Sequence, residues 1–154
     1  MVIRRGGPQD VRFLRDMLRH AYYWRWGSLD SIPGTRYVEG WGRHGDAGVI
    51  ALDQGHPVGA AWYRLFRRDA PGYGFVDEQT PELAIAVVPN RRGRGIGDAL
   101  LKALYERAKQ DGHAAVSLAA ERDNAPLVSY YEQKHGFQRV HEDGGDSVTM
   151  RREL

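Results

Sequence analysis

The residues of this chain best suited to chemistry are Arg92-Gly93-Arg94-Gly95-Ile96-Gly97, reached from the apolar run Ala84-Ile85-Ala86-Val87-Val88 through Pro89, Asn90 and Arg91. Beyond them Ile96, Leu100, Leu104 and Ala108 recur every fourth residue, with Leu101 and Tyr105 alongside, which predicts an amphipathic helix running to Gly112. The turn therefore falls at a helix N-terminus, where the first N–H groups lack intrahelical partners and the macrodipole is positive. Glycines let an anion reach that backbone, and Arg91, Arg92 and Arg94 add positive charge. The run reads as a pyrophosphate cradle. A nucleoside-triphosphate loop would need Gly-Lys-Ser/Thr, which does not occur, and a dinucleotide fingerprint would need its third glycine one position later than Gly97. An arginine-glycine RNA-binding segment would be repeated and disordered, whereas this one is single and sits between a strand and a helix.

The elements that must position this turn can be read in order. Val2 to Arg5 predicts a strand, and Pro8 opens a helix whose apolar face is Val11, Leu14, Leu18, Ala21 and Tyr22. Tyr23 to Gly45 is irregular and loop-rich, with Trp24, Trp26, Tyr37 and Trp41 among glycines and room for a short second helix. Ala47 to Asp53 and Val58 to Phe66 predict an antiparallel hairpin about Gln54-Gly55-His56-Pro57, followed by a polar connection from Arg67 to Thr80. Glu82 to Val88 is the strand before the turn. Ala114 to Ala120 predicts another strand, Pro126 to Lys134 a helix, and Phe137 to Glu142 with Ser147 to Arg152 a last strand pair about Asp143-Gly144-Gly145. This order predicts an α/β fold with helices on both faces of a mixed sheet, and residues 1–154 read as a single domain without repeats.

Composition agrees with that reading. With 154 residues, 42% hydrophobic and 27% charged, the chain can bury a sizeable core. The absence of cysteine removes disulfides, thiolate metal sites and a cysteine nucleophile, and the six histidines show no paired ligand spacing, so no metal is expected. No serine sits in G-x-S-x-G. No apolar run approaches the length of a membrane span and no apolar signal segment follows Arg4 and Arg5, so the expectation is a soluble, cytoplasmic protein that does not act on membranes. A net charge of +2 is a weak prompt toward nucleic acid, and no nucleic-acid partner is expected.

Arg92-Gly93-Arg94-Gly95-Ile96-Gly97 resembles the [Q/R]-x-x-G-x-[G/A] signature of the GNAT superfamily of acyl-CoA-dependent N-acyltransferases. Val87-Val88-Pro89 precedes it at the usual distance. Asn124, Tyr131 and Gly136-Phe137 resemble the family's second block, and the ordered combination covers nearly the whole chain. The resemblance implies a mostly antiparallel central sheet of about six or seven strands. It implies transfer of an acetyl or longer acyl group from acetyl-CoA directly to a primary amine in a ternary complex, with no covalent enzyme intermediate. A non-catalytic acyl-CoA-binding module is the alternative.

On this resemblance the pyrophosphate of acetyl-CoA lies against Arg92, Gly93, Arg94, Gly95, Ile96 and Gly97. The pantetheine arm pairs with backbone groups of Ile85, Ala86, Val87 and Val88, a backbone N–H near Val88 faces the thioester oxygen, and Asn124 holds the arm. Tyr131, seven residues after Asn124, takes the place of the family's general acid. Four residues separate it from Gly136 where the family has three, and a one-residue shift turns a helix by about 100°, so Tyr130 is the alternative. Glu82 resembles the strand carboxylate that accepts the amine proton. The acceptor side, with Trp24, Trp26, Tyr37 and Glu39 as its candidate residues, suits an amine on an apolar body, and the final strands are a possible homodimer interface.

Overall fold

A computed structural model describes residues 1–22, 36–141 and 145–154. The strands are β1 (Val2–Arg5), β2 (Ala47–Asp53), β3 (His56–Arg64), β4 (Glu82–Val87), β5 (Ala115–Glu121), β6 (Gln138–His141) and β7 (Ser147–Glu153). The helices are α1 (Val11–Ala21), α2 (Ile96–Gln110) and α3 (Ala125–His135). The strands form one seven-stranded sheet in the order β1-β2-β3-β4-β5-β7-β6, in which only β4 and β5 run parallel. The mixed, mostly antiparallel sheet expected from the sequence is therefore present. Trp24, Trp26 and the expected short second helix fall largely or wholly outside the described residues.

The two faces of the sheet carry separate cores. Leu14, Met17, Leu18 and Tyr22 of α1 and its C-terminal end pack with Tyr37, Ile50, Ala60, Trp62, Ala84 and Ala86. On the other face Leu100, Leu101, Leu104 and Ala108 of α2, with Val128 and Tyr131 of α3, pack on Val49, Ala61, Leu83, Val116 and Leu118. Alternate residues of β3, β4 and β5 thus serve opposite faces, as the two-residue period of a strand requires. The boundaries moved where turn chemistry prevailed over composition. Gln54 and Gly55, both at positive φ, close the first hairpin in two residues, so β3 begins at His56 and ends at Arg64 instead of spanning 58–66.

Two polar clusters fix the entry to α1 and the segment 36–46. Arg4 makes two bonds to Asp10, at 2.9 and 2.8 Å, while the Gly7 N–H donates to the same carboxylate at 2.8 Å, tying β1 to the turn that starts the helix. Arg4 holds the Asp10 carboxyl below the ordinary carboxylate range. Beyond the helix, the guanidinium of Arg64, 1% exposed, pairs with Asp46 through Nε (3.0 Å) and Nη2 (2.6 Å). Its Nη1 donates to the carbonyls of Arg36 and Glu39 at 2.7 and 2.6 Å. With Trp62 Nε1, which donates to the Tyr37 carbonyl at 3.0 Å, Arg64 fastens residues 36–46 to the sheet and holds Tyr37 in place.

Candidate active site

The parallel pair makes the site. β4 and β5 share one register pair, Glu82 with Ser117, and one hydrogen bond from the Ser117 N–H to the Pro81 carbonyl at 3.0 Å; beyond it they diverge. A cavity of about 520 Å³ occupies the fork. It is lined from β4 by Leu83, Ala84, Ile85, Ala86 and Val87 and from β5 by Leu118, Ala119, Ala120 and Glu121. Arg92, Gly97, Asn124, Tyr130 and Tyr131 close it on the α2 and α3 side, and His20, Ala21 and Tyr22 on the α1 side. The fork thus passes through the sheet from one core face to the other.

The backbone of β4 divides its labour by alternation. Val88 N–H donates to the Val58 carbonyl at 2.8 Å, so residues of the same parity address β3, and Leu83, Ile85 and Val87 point their N–H and C=O groups into the fork. Of the backbone donors near Val88, that of Val88 itself is engaged and that of Val87 is directed into the fork, while Ala86 belongs to the ladder with β3. Val87 keeps its N–H for the fork while its carbonyl accepts from Arg92 Nε at 3.1 Å.

At the wide end of the fork a second cavity, lined by Arg91, Arg92, Gly93, Gly95, Ile96 and Gly97 together with Leu127 and Tyr130, continues from the first. Gly93 and Gly95 have φ of 79° and 80°, a left-handed conformation strained for any residue with a Cβ, and a Cβ at either would point into open space. The N–H groups that open α2 are therefore presented to a concave, unobstructed surface. Arg91 is paired with Asp53 at 3.2 Å, and Arg94 is exposed.

Helix α3 separates the two tyrosines. Asn124 caps it, its side-chain oxygen accepting from the Leu127 N–H at 3.2 Å. Seven residues at about 100° each bring Tyr131 to within about 20° of the Asn124 direction, and both line the fork. The Tyr130 hydroxyl donates to Asp98 in the first turn of α2, where Lys134 Nζ (2.6 Å) and His135 Nε2 (2.9 Å) meet the same carboxylate. Lys134 first, then Tyr130 and His135, hold the Asp98 carboxyl well below its ordinary range. Burial pushes the Tyr131 phenol up to about 12, so it keeps its proton at neutral pH. The helix reaches His135 before Gly136 terminates it in a left-handed conformation.

Glu82 lies at the closed foot of the fork, 1% exposed and outside the cavity lining. Its Oε2 accepts from the Tyr37 hydroxyl and from the Gly74 N–H (3.0 Å), and its Oε1 is buried without a hydrogen-bond partner. Burial raises this carboxyl to about 7, the two hydrogen bonds opposing the rise only in part. Tyr37, expected to contact the acceptor, is instead a fully buried link. Its oxygen accepts from the Tyr73 N–H at 2.9 Å, and the ring of Tyr22 packs against its own with centres 4.8 Å apart. Tyr22 lines the fork. Tyr22 therefore stands between the cavity and the buried Tyr37–Glu82 pair.

Glu39 is exposed and lines a cleft with Arg12, Arg15 and Arg19 on the outer side of α1, apart from the fork. Sequence reasoning missed the part played by residues 72–75. An added Cβ at Gly72 would collide with Glu82 Oε1 and one at Gly74 with the Leu118 backbone, so this stretch lies directly over the foot of the fork. Two glycines closely spaced in a polar connection were its only signal. Glu121 carried none.

A sheet split between two parallel strands, with a helix N-terminus and left-handed glycines at its wide end, defines a class of domain that receives a long, linear donor with an anionic head. The model of the acetyltransferase (GNAT) family matches residues 11–137, and the chain belongs to that family. A ribosomal-protein-alanine N-acetyltransferase from Brucella melitensis shares the fold over the whole of both chains, at 27% identity and a TM-score of 0.73. The YncA protein of Salmonella typhimurium, solved with its cofactor acetyl-CoA, aligns with all of this chain and 94% of its own, at 22% identity and a TM-score of 0.74. A mycothiol acetyltransferase of Brachybacterium faecium is 31% identical over 90 residues, 58% of this chain and 25% of that relative. The chain spans between 19% and 30% of the length of the curated relatives it matches. Among the described residues no helix is long and apolar enough to cross a membrane, and no group of three or more His, Asp or Glu could hold a metal ion.

Proposed function

We propose that this domain transfers an acetyl group from acetyl-CoA directly to a primary amine, donor and acceptor meeting from opposite faces of the sheet within the fork. The observation that carries the reading is the fork itself: two parallel strands joined by one register pair and opening onto the glycine cradle. The N–H groups at the start of α2, with Arg92, hold the pyrophosphate. Leu83, Ile85 and Val87 offer backbone groups to the amides of the pantetheine arm and, near Val88 as expected, an N–H to the thioester oxygen as charge builds there. Tyr131, neutral and facing the fork, donates a hydrogen bond to the departing sulfur, its proton following. Tyr131 is preferred over Tyr130 because the Tyr130 hydroxyl is bound to Asp98.

Glu82 takes the proton of the attacking amine through Tyr22 and Tyr37. As the amine gives a proton to the Tyr22 oxygen, Tyr22 passes its own to Tyr37 and Tyr37 passes its own to Glu82, so neither phenol ionises. Burial supports this order, since it raises both phenols well above 10 while bringing Glu82 to about 7. Calorimetric titration with acetyl-CoA, CoA and ADP, on the wild type and on Gly95→Glu, tests the reading. Micromolar acetyl-CoA binding that the variant loses, followed by thiol release with an amine, is the expected result. Binding without thiol release from any amine would favour a sensing module, and no binding by the wild type would overturn the cradle.

A further inference from the structure

Glu121 ends β5 at the open side of the fork and belongs to the cavity lining, and its Oε2 is buried beside that cavity without a hydrogen-bond partner. The alternation of β5 decides which half of the fork it faces. Val116, Leu118 and Ala120 belong to the core under α2 and α3, the face of Tyr131 and the glycine cradle. Ser117, Ala119 and Glu121 point the other way, toward α1, and Ser117 Oγ confirms the direction by donating to the Gly74 carbonyl at 2.8 Å. Glu121 therefore shares its side of the fork with Tyr22, His20, Ala84 and Ala86 and lies across the sheet from the donor cradle. A carboxylate oxygen removed from water and left unpaired is costly, and a ligand cation or N–H donor is what relieves that cost.

We infer that Glu121 binds the acceptor, and that the acceptor carries a second positively charged nitrogen besides the amine that is acetylated. The inference rests on the acyl-transfer reading and adds the class of substrate. Glu82 and Glu121 bracket this half of the fork from its closed and open ends, four strand positions apart counted from the Ser117 partner of Glu82, or about 13 Å along β5. Both add negative potential, so an acceptor bearing a carboxylate is repelled while a linear dication is drawn in end-on, one nitrogen at Tyr22 and the other at Glu121.

The test is calorimetric titration of the CoA-saturated protein with a series of linear terminal diamines against monoamines of the same chain length. It compares wild type, Glu121→Gln and Glu121→Asp. The wild type is expected to bind its best diamine roughly tenfold or more tightly than the matching monoamine. Glu121→Gln loses that advantage, Glu121→Asp keeps most of it, and monoamine and CoA affinities stay within about twofold in both. Equal binding of diamine and monoamine by the wild type, or an unchanged preference in Glu121→Gln, overturns the inference. So does a CoA affinity that falls in Glu121→Gln, which would assign the carboxylate to the donor. A wild type that binds no CoA marks a failure of the acyl-transfer reading instead.

Discussion

Replacing Glu82 by glutamine converts the burial of this carboxyl into a measurable dependence on pH. In the folded protein it titrates at about 7, against an ordinary 4.5. Because the folded state holds this proton more firmly than the unfolded chain, the group costs nothing below the ordinary value and destabilises increasingly as pH rises from about 4.5 to about 7, after which the cost is constant at about 3 kcal/mol. Between about pH 5.5 and pH 8 the wild type should therefore lose about 2 kcal/mol that Glu82→Gln does not, whatever fixed cost the variant bears from its altered bond to Tyr37. Urea denaturation of both proteins at the two pH values reads the difference directly. On a domain of this size it corresponds to a relative shift of about 4–8 °C in Tm. If Glu82 is also the proton acceptor, wild-type kcat rises with pH along a limb centred near 7, and the limb disappears in the variant. A stability difference between the proteins that stays within about 0.5 kcal/mol across this range would refute the claim that burial sets the Glu82 titration.

Tyr131→Phe should lower kcat by about two to four orders of magnitude with acetyl-CoA affinity nearly unchanged, whereas Tyr130→Phe should leave kcat close to wild type and cost about 1 kcal/mol through the lost hydrogen bond to Asp98, which Lys134 and His135 still hold. Steady-state kinetics and CoA titration on both variants check this, and a reversed pattern would transfer the acid role to Tyr130. Asp46→Ala strands the buried Arg64 guanidinium and should destabilise the domain by about 3 kcal/mol or more. A loss in thermal denaturation of under about 3 °C would show that the two carbonyls at Arg64 suffice to hold residues 36–46.

The amino-acid pattern alone determined the order of the elements, the position of the cradle and the spacing of Asn124 and Tyr131, because these depend on near neighbours. An apolar run, a cluster of glycines and a 3.6-residue period act over a few residues, and so they are written in consecutive letters. Tertiary structure decided what depends on pairs distant in the chain. Whether β4 and β5 part after Glu82 is set by the balance of their two ladders, with β3 and β7, and no local signal in either strand encodes it. The same holds for the Val88 N–H, taken by Val58, and for Tyr37, which the family resemblance suggested as an acceptor contact and packing placed between Tyr22 and Glu82. Glu121 is the plainest case: in the sequence it is an ordinary strand-end carboxylate, and only the splay of the sheet puts it in the lining of a cavity with its Oε2 buried and unpaired. Desolvation and pairing arise from groups brought together across the sheet, which is why the titration of Glu82 and the unpaired oxygen of Glu121 could be known only from the fold.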